Sequence, residues 1–224
     1  MKLKLVFLLF LISVLGFQQK TILPEGFVYV QEIIPEIHVE LRYFSKHNFV
    51  GDTINGYKAN KLILTEAATQ ALKKVNDELL LQNKCLLVYD GYRPQRAVNH
   101  FMSWAQDLND TINKAEFYPD VAKENLFKEE YIAARSGHSK GSTVDLTILD
   151  ATTNEPLDMG SAYDFFGKQS WVAYEGISEK QKANRQLLQT VMLKHGFKNY
   201  PQEWWHFTLK NEPFPNTYFD FEIE

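Results

Sequence analysis

Two side chains able to bind a metal ion stand seven positions apart in Ser136-Gly137-His138-Ser139-Lys140-Gly141-Ser142-Thr143-Val144-Asp145: the His138 imidazole and the Asp145 carboxylate. Gly141 between them lets the backbone turn. Mixed nitrogen and oxygen ligands suit a catalytic Zn²⁺, which takes three protein ligands and keeps one position open. The third ligand must come from elsewhere, and His206 in Pro201-Gln202-Glu203-Trp204-Trp205-His206-Phe207-Thr208-Leu209 is the best candidate. Glu203 lies three residues before it, and a carboxylate that does not bind the metal is what hydrolysis at such a centre needs. Residues three apart on a regular strand face opposite sides. Glu203 is therefore expected on the turn after Pro201, or on a bulge. Taken singly, a histidine in a β-rich chain is more often structural than a ligand, and a lone strand aspartate is usually a turn or surface residue. The joint pattern is what points to a metal.

These residues need elements to hold them. After Gly141 the run alternates, with Val144, Leu146 and Ile148 on one face and Thr143, Asp145 and Thr147 on the other. A carboxylate between threonines on such a strand suggests an internal polar site. Ile37, Val39, Leu41 and Tyr43 alternate with polar residues and predict a half-buried strand. A helix is expected over about 65–82, with Ala68, Ala71, Leu72, Val75 and Leu79 on one stripe, followed by a buried strand from Cys85 to Tyr89. Asp90-Gly91-Tyr92-Arg93-Pro94 then makes a sharp turn, and Pro94 opens a helix carrying Ala97, Val98, Phe101, Trp104 and Ala105. Arg93, on a loop between a buried strand and a helix, is well placed to point into a site.

Helix is also expected around Pro119 to Tyr131, and a hairpin turn from Asp150 to Glu155. Ser178 and Gln181 form a capping box for a helix that stops at Gly196, and a strand follows from Glu203 to Leu209. The aromatic tail from Pro213 to Phe221 should pack over the core. His38, His47, His100 and His195 read as structural or surface residues. Interleaved helices and one-sidedly polar strands favour an α+β single domain. Its sheet would be mainly antiparallel, with helices packed on one side and the zinc site in a cleft on the sheet. A doubly wound parallel sheet is the alternative.

The chain has 224 residues, 45% hydrophobic and 23% charged, enough for one domain with a substantial core. Its net charge of -4 gives no basic field for nucleic acid. Cys85 is the only cysteine, so no intramolecular disulfide exists, and a core thiol is the simplest reading. Lys2 and Lys4 precede an apolar run from Leu5 to Phe17 that is short for a membrane span. The expectation is a signal peptide within residues 1–19, a mature domain over 20–224, and export, to the periplasm where there is an outer membrane. No stable membrane insertion is expected after cleavage; an uncleaved anchor is the alternative.

Ser136-x-His138-x-x-Gly141-x-x-x-Asp145 with Glu203-x-x-His206 resembles the signature of the zinc D-alanyl-D-alanine peptidases. The chain is most similar to their VanX-like D-alanyl-D-alanine dipeptidase branch, through Asp90 to Pro94, Met159-Gly160-Ser161-x-x-Asp164-Phe165, Glu203 to His206 and the tail Glu212-Pro213-x-Pro215-Asn216-x-Tyr218-Phe219-Asp220-Phe221. The resemblance covers nearly all the chain after about residue 25. It implies one Zn²⁺ held by His138, Asp145 and His206, Glu203 as catalytic acid/base, and Arg93 as stabiliser of the transition state. It further implies that Ser136, Asp164 and Tyr43 bind the D-Ala-D-Ala dipeptide, chiefly its ammonium end. The family often has Ser or Thr at position 137 and Ala at 143, where this chain has Gly137 and Thr143. Export would suit peptidoglycan turnover or dipeptide scavenging better than clearance of cytosolic dipeptide. A D,D-carboxypeptidase acting on longer wall peptides, and a non-catalytic zinc or wall-peptide binding module, are the rival readings.

Overall fold

The computed structural model describes residues 23–224, so the signal-peptide expectation lies outside the described residues. In chain order the elements are β1 (Phe27–Tyr29), α1 (Val30–Ile33), β2 (His38–Val39), β3 (Ile63–Thr65), α2 (Glu66–Leu80), β4 (Lys84–Asp90) and α3 (Gln95–Gln106). There follow α4 (Lys114–Phe117), β5 (Thr143–Asp150), α5 (Glu179–Lys194), β6 (Phe197–Tyr200) and β7 (Glu203–Leu209). Five strands form one sheet in the order β2-β4-β5-β7-β6, and β1 pairs with β3 separately. Only β2 and β4 run parallel; β4–β5, β5–β7 and β6–β7 are antiparallel. A doubly wound parallel sheet is thereby excluded, and the architecture is α+β.

Strand alternation decides which face is dry. Val144, Leu146 and Ile148 of β5 and Phe207 and Leu209 of β7 join one core with Leu72, Val75 and Leu79 of α2 and Leu188, Val191 and Met192 of α5. At about 25 cal/mol per Å² of apolar surface buried, this layer is the main term holding the sheet to its two helices. Local signals fix where those helices begin. The Thr65 side chain accepts from Ala68 N at the head of α2, and Ser178 with Gln181 forms a complete capping box on α5. Gly196, at φ +92°, supplies the left-handed turn after α5. Cys85 is buried in the same core.

A second, aromatic cluster gathers Tyr43, Phe49, Tyr57, Tyr92, Phe101, Trp104, Tyr118 and Phe166 around α3. The tail closes over it. Phe219 N donates to Ser139 O, Tyr92 OH donates to Phe221 O, and the Phe221 ring stacks on Tyr92 at 4.0 Å.

Two expected elements differ. The strand over 37–43 shrinks to His38–Val39, and Arg42–Phe44 coils into a 3₁₀ turn. The chain leaves the sheet edge there because Tyr43 buries its ring against Phe49, Tyr57 and Phe101. The helix around 119–131 is a single 3₁₀ turn, Lys123–Asn125. Its first residue, Lys123, spends its ammonium on Asp110 O, and Glu130 is left-handed at φ +63°. Tyr131 N and Ile132 N then both donate to Leu126 O, which closes the segment as a loop. No helix among the described residues is long and apolar enough to cross a membrane.

Candidate active site

The polar face of the sheet carries the centre. Asp145 of β5 stands opposite His206 of β7, and Thr143 opposite Thr208, whose hydroxyls meet at 2.9 Å. His138 arrives on the 3₁₀ turn Gly137–Lys140, which is N-capped by the Ser136 hydroxyl and ended by Gly141 at φ +81°. A Cβ at 141 would lie 2.2 Å from a ring carbon of Phe27, so the turn requires glycine on both counts. His138 Nδ1 sits 2.8 Å from Gly91 O. A carbonyl only accepts, so Nδ1 carries the proton and Nε2 presents a lone pair. Burial pushes the His138 imidazole pKa down, which keeps that lone pair available.

Three ligand atoms then converge. His138 Nε2 lies 3.3 Å from Asp145 Oδ2, His206 Nδ1 lies 3.0 Å from Asp145 Oδ1, and the two ring nitrogens are 3.3 Å apart. Asp145 is buried, yet its Oδ1 receives no well-formed hydrogen bond. Burial works against its charge, but the two imidazoles offset this and hold the carboxyl below the usual carboxylate range. An orphaned carboxylate oxygen facing two imidazole nitrogens, one of them committed to a lone pair, is a donor set that fits a divalent cation.

Glu203 reaches the same space. The β6–β7 register slips between Asn199 and Tyr200, so that Tyr200 pairs with Glu203 itself. This irregularity is the expected solution to the three-residue spacing, and it leaves Glu203 Oε2 3.3 Å from His206 Nδ1. Burial pushes the Glu203 carboxyl up to about 7. A carboxyl there can both take and give a proton near neutrality.

Arg93 enters from the β4–α3 turn, with Nε donating to Asp90 Oδ2 at 2.8 Å and a terminal nitrogen 3.5 Å from Asp145 Oδ2. Its guanidinium lies 4.8 Å from the Tyr43 ring centroid and 5.4 Å from that of Phe101. Asp164, at an unusual φ of +58°, accepts the Tyr43 hydroxyl at 2.7 Å. Burial first, and Asp145 next, push the Asp164 carboxyl well above the ordinary aspartate range. A single cavity of about 300 Å³ is lined by all eight residues singled out in the sequence: Tyr43, Arg93, Ser136, His138, Asp145, Asp164, Glu203 and His206.

Three further residues escape a sequence reading. Asp90 is fully buried and takes both Arg93 Nε and the Tyr57 hydroxyl, the latter at 2.6 Å. Tyr163 donates to Asp145 Oδ2 at 3.2 Å while stacked on Tyr89. The signal for Asp90 lay in its place at the end of a buried strand, three residues before Arg93. Nothing in the sequence marks Tyr57 or Tyr163. The two departures from the expected pattern also meet: a Cβ added at Gly137 would lie 3.0 Å from Thr143 Oγ1, so the threonine occupies space that a larger residue at 137 would contest.

A family profile described as D-ala-D-ala dipeptidase (Peptidase_M15) matches residues 24–224. A D-alanyl-D-alanine dipeptidase of Enterococcus faecium is 38% identical over 199 residues, which is 89% of this chain and 98% of that one. One from Streptomyces coelicolor is 41% identical over 88% of this chain and 98% of its own. One from Escherichia coli is 31% identical over 79% of this chain and 81% of its own. A solved structure of the D,D-pentapeptidase VanY with Zn(II) overlays with a TM-score of 0.41 at 16% identity, covering 69% of this chain and 77% of that one. With its profile matched from residue 24 to the C-terminus and near full-length relatives above 35% identity, the chain belongs to the D-ala-D-ala dipeptidase family.

Proposed function

We propose that this chain is a zinc-dependent dipeptidase that hydrolyses D-alanyl-D-alanine to two D-alanines. One observation carries the reading: the His138, Asp145 and His206 ligand atoms and the Glu203 carboxyl meet in a cavity that also holds the buried Asp164 carboxyl, bonded by the Tyr43 hydroxyl. A Zn²⁺ held by the three ligands supplies Lewis acidity and a water made acidic near neutral pH. Glu203 takes the proton of the attacking water and delivers it to the leaving amine, a shuttle its raised pKa suits. Arg93, fixed by Asp90, holds the carbonyl oxygen as negative charge develops there. Asp164, aligned by the Tyr43 hydroxyl, receives the substrate ammonium.

The ammonium site separates this reading from a D,D-carboxypeptidase. A longer acylated peptide has an amide where the dipeptide has an ammonium, and offers the buried Asp164 carboxyl no cation to pair with. A binding module without catalysis would have no need of Glu203 and Arg93 at the metal ligands. The test is D-alanine release from D-Ala-D-Ala and from an acyl-D-Ala-D-Ala peptide, with chelator and with Zn²⁺ restored. Zinc-dependent release from the dipeptide alone is expected; release from the longer peptide at a comparable rate refutes it. Glu203→Ala should keep zinc and lose turnover, whereas His206→Ala should lose both. The basic and apolar leading segment supports export and a role in peptidoglycan turnover or dipeptide scavenging. Cell fractionation that found the full-length chain in the cytosol would overturn that placement.

A further inference from the structure

A free dipeptide carries charge at both ends, and Asp164 answers only one of them. The cavity is lined by two permanent cations, Arg93 and Arg135. Arg93 is already engaged by Asp90 and Asp145 and lies against two aromatic rings. Other cations near the site are engaged too: Lys140 pairs with Glu212, and Arg96 with Asp220 and Glu222. Arg135 has no ion pair among the described residues; its guanidinium rests 4.9 Å from the Tyr218 ring centroid. Its loop is anchored, since Gln95 donates to Ala134 O at 3.0 Å and Ser136 caps the His138 turn. The Ser136 hydroxyl accepts from His138 N and keeps its own proton to donate.

Resting on the dipeptidase reading above, we propose that Arg135, with the Ser136 hydroxyl beside it, recognises the free C-terminal carboxylate of the substrate. The cavity then measures a zwitterion, with an anion for the ammonium and a planar guanidinium for the carboxylate. Arginine suits that task because its fork of donors matches a carboxylate in a bidentate manner. Arg135 is a specificity-determining residue here. The bond that breaks is handled by Glu203 and Arg93.

The test compares D-Ala-D-Ala with D-Ala-D-Ala amide, which keeps the ammonium and the scissile bond but loses the carboxylate charge. The native protein should favour the free acid in kcat/KM by about tenfold or more, as expected for a charge-assisted hydrogen-bonded pair. Arg135→Gln should collapse that preference toward unity through KM, and Arg135→Lys should restore part of it. A preference that survives Arg135→Gln, or a variant that slows both substrates equally, overturns the proposal. Turnover of neither peptide by the native protein would refute the dipeptidase reading instead. Calorimetric binding of acid and amide to Glu203→Ala, with and without Arg135→Gln, would then decide Arg135 by itself. Equal binding of the two peptides, or binding of neither, counts against it.

Discussion

Asp90→Asn is the substitution that most directly tests how the site is organised. The Asp90 carboxylate is fully buried, with one oxygen taking the Tyr57 hydroxyl at 2.6 Å and the other taking Arg93 Nε at 2.8 Å. Among the described residues, the Arg93 guanidinium has one other polar contact, the 3.5 Å approach to Asp145, at the limit of a hydrogen bond. Asparagine keeps the shape but loses the charge: its oxygen can still accept from Arg93 while its NH₂ donates to the Tyr57 oxygen, so what is lost is the ionic character of the bond that holds Arg93. A hydrogen bond to a charged group contributes about 1.5–3 kcal/mol, and 1.4 kcal/mol is a factor of ten. If the loss falls on Arg93 and on the transition state, kcat/KM should drop roughly 10- to 100-fold, less than the 10²–10³ typical for removing an oxyanion donor outright.

The assay is a double-mutant cycle with Arg93→Ala, with zinc content and Tm as controls. Acting through Arg93, Asp90→Asn should add almost nothing in the Arg93→Ala background, so that the coupling energy nearly equals the single effect. Losses that multiply in the double mutant would mean that Asp90 acts by another route, such as the His138 ring, whose Nδ1 is 3.6 Å from the same Asp90 oxygen. That outcome would refute the reasoning.

Further expectations concern charge, space and the metal. Burial raises the Asp164 pKa, and only the ionised carboxylate pairs with an ammonium, so KM for the dipeptide should fall as pH rises through the Asp164 transition. It should climb again as the substrate amine deprotonates near about 8; a KM that is flat on the acid side, or unchanged in Asp164→Asn, would refute the pairing. Gly137→Ser should lower Tm because its side chain meets Thr143 Oγ1, and Thr143→Ala should recover the loss in the double variant; additive losses would refute steric coupling. Chelation should lower Tm, and Zn²⁺ at 100 times its Kd should stabilise the fold by about 2.7 kcal/mol. The same shift persisting in His206→Ala would place the ion elsewhere.

Side chains with a period or a chemistry were legible in the sequence. The stripe of α2, the capping box of α5 and the alternation of β5 all rest on local rules, and each reappears at its expected place. The meeting of His138, Asp145 and His206 was legible because a carboxylate on a threonine-lined strand face, with an imidazole on the turn before it and another downstream, has few other uses. Tyr43 was different. Its alternating neighbours predicted a strand, but burial of its ring and its bond to Asp164 outweigh two more rungs of a sheet-edge ladder. Lys123 likewise satisfies a distant carbonyl where helical periodicity alone would have left it in solvent.

Backbone irregularity is only half legible in residue types, and the centre depends on it twice: the three-residue spacing of Glu203 and His206 asks for a bulge or turn, whereas no residue pattern marks the slip in β4. In β4 the register slips between Val88 and Asp90, so that Asp90, in place of Tyr89, stands opposite Asp145. In β6 a second slip brings Tyr200 opposite Glu203. A regular ladder would have turned Asp90 to the face where Val88 packs and set Glu203 on the side opposite His206. Each slip falls at the end of a strand bordering the cavity, where breaking a rung disturbs the ladder least. Bulges re-aim side chains in this way near active sites. The sheet therefore presents Asp145 and Glu203 to one cavity and sets the buried Asp90 behind Arg93, an arrangement that strict two-residue alternation forbids.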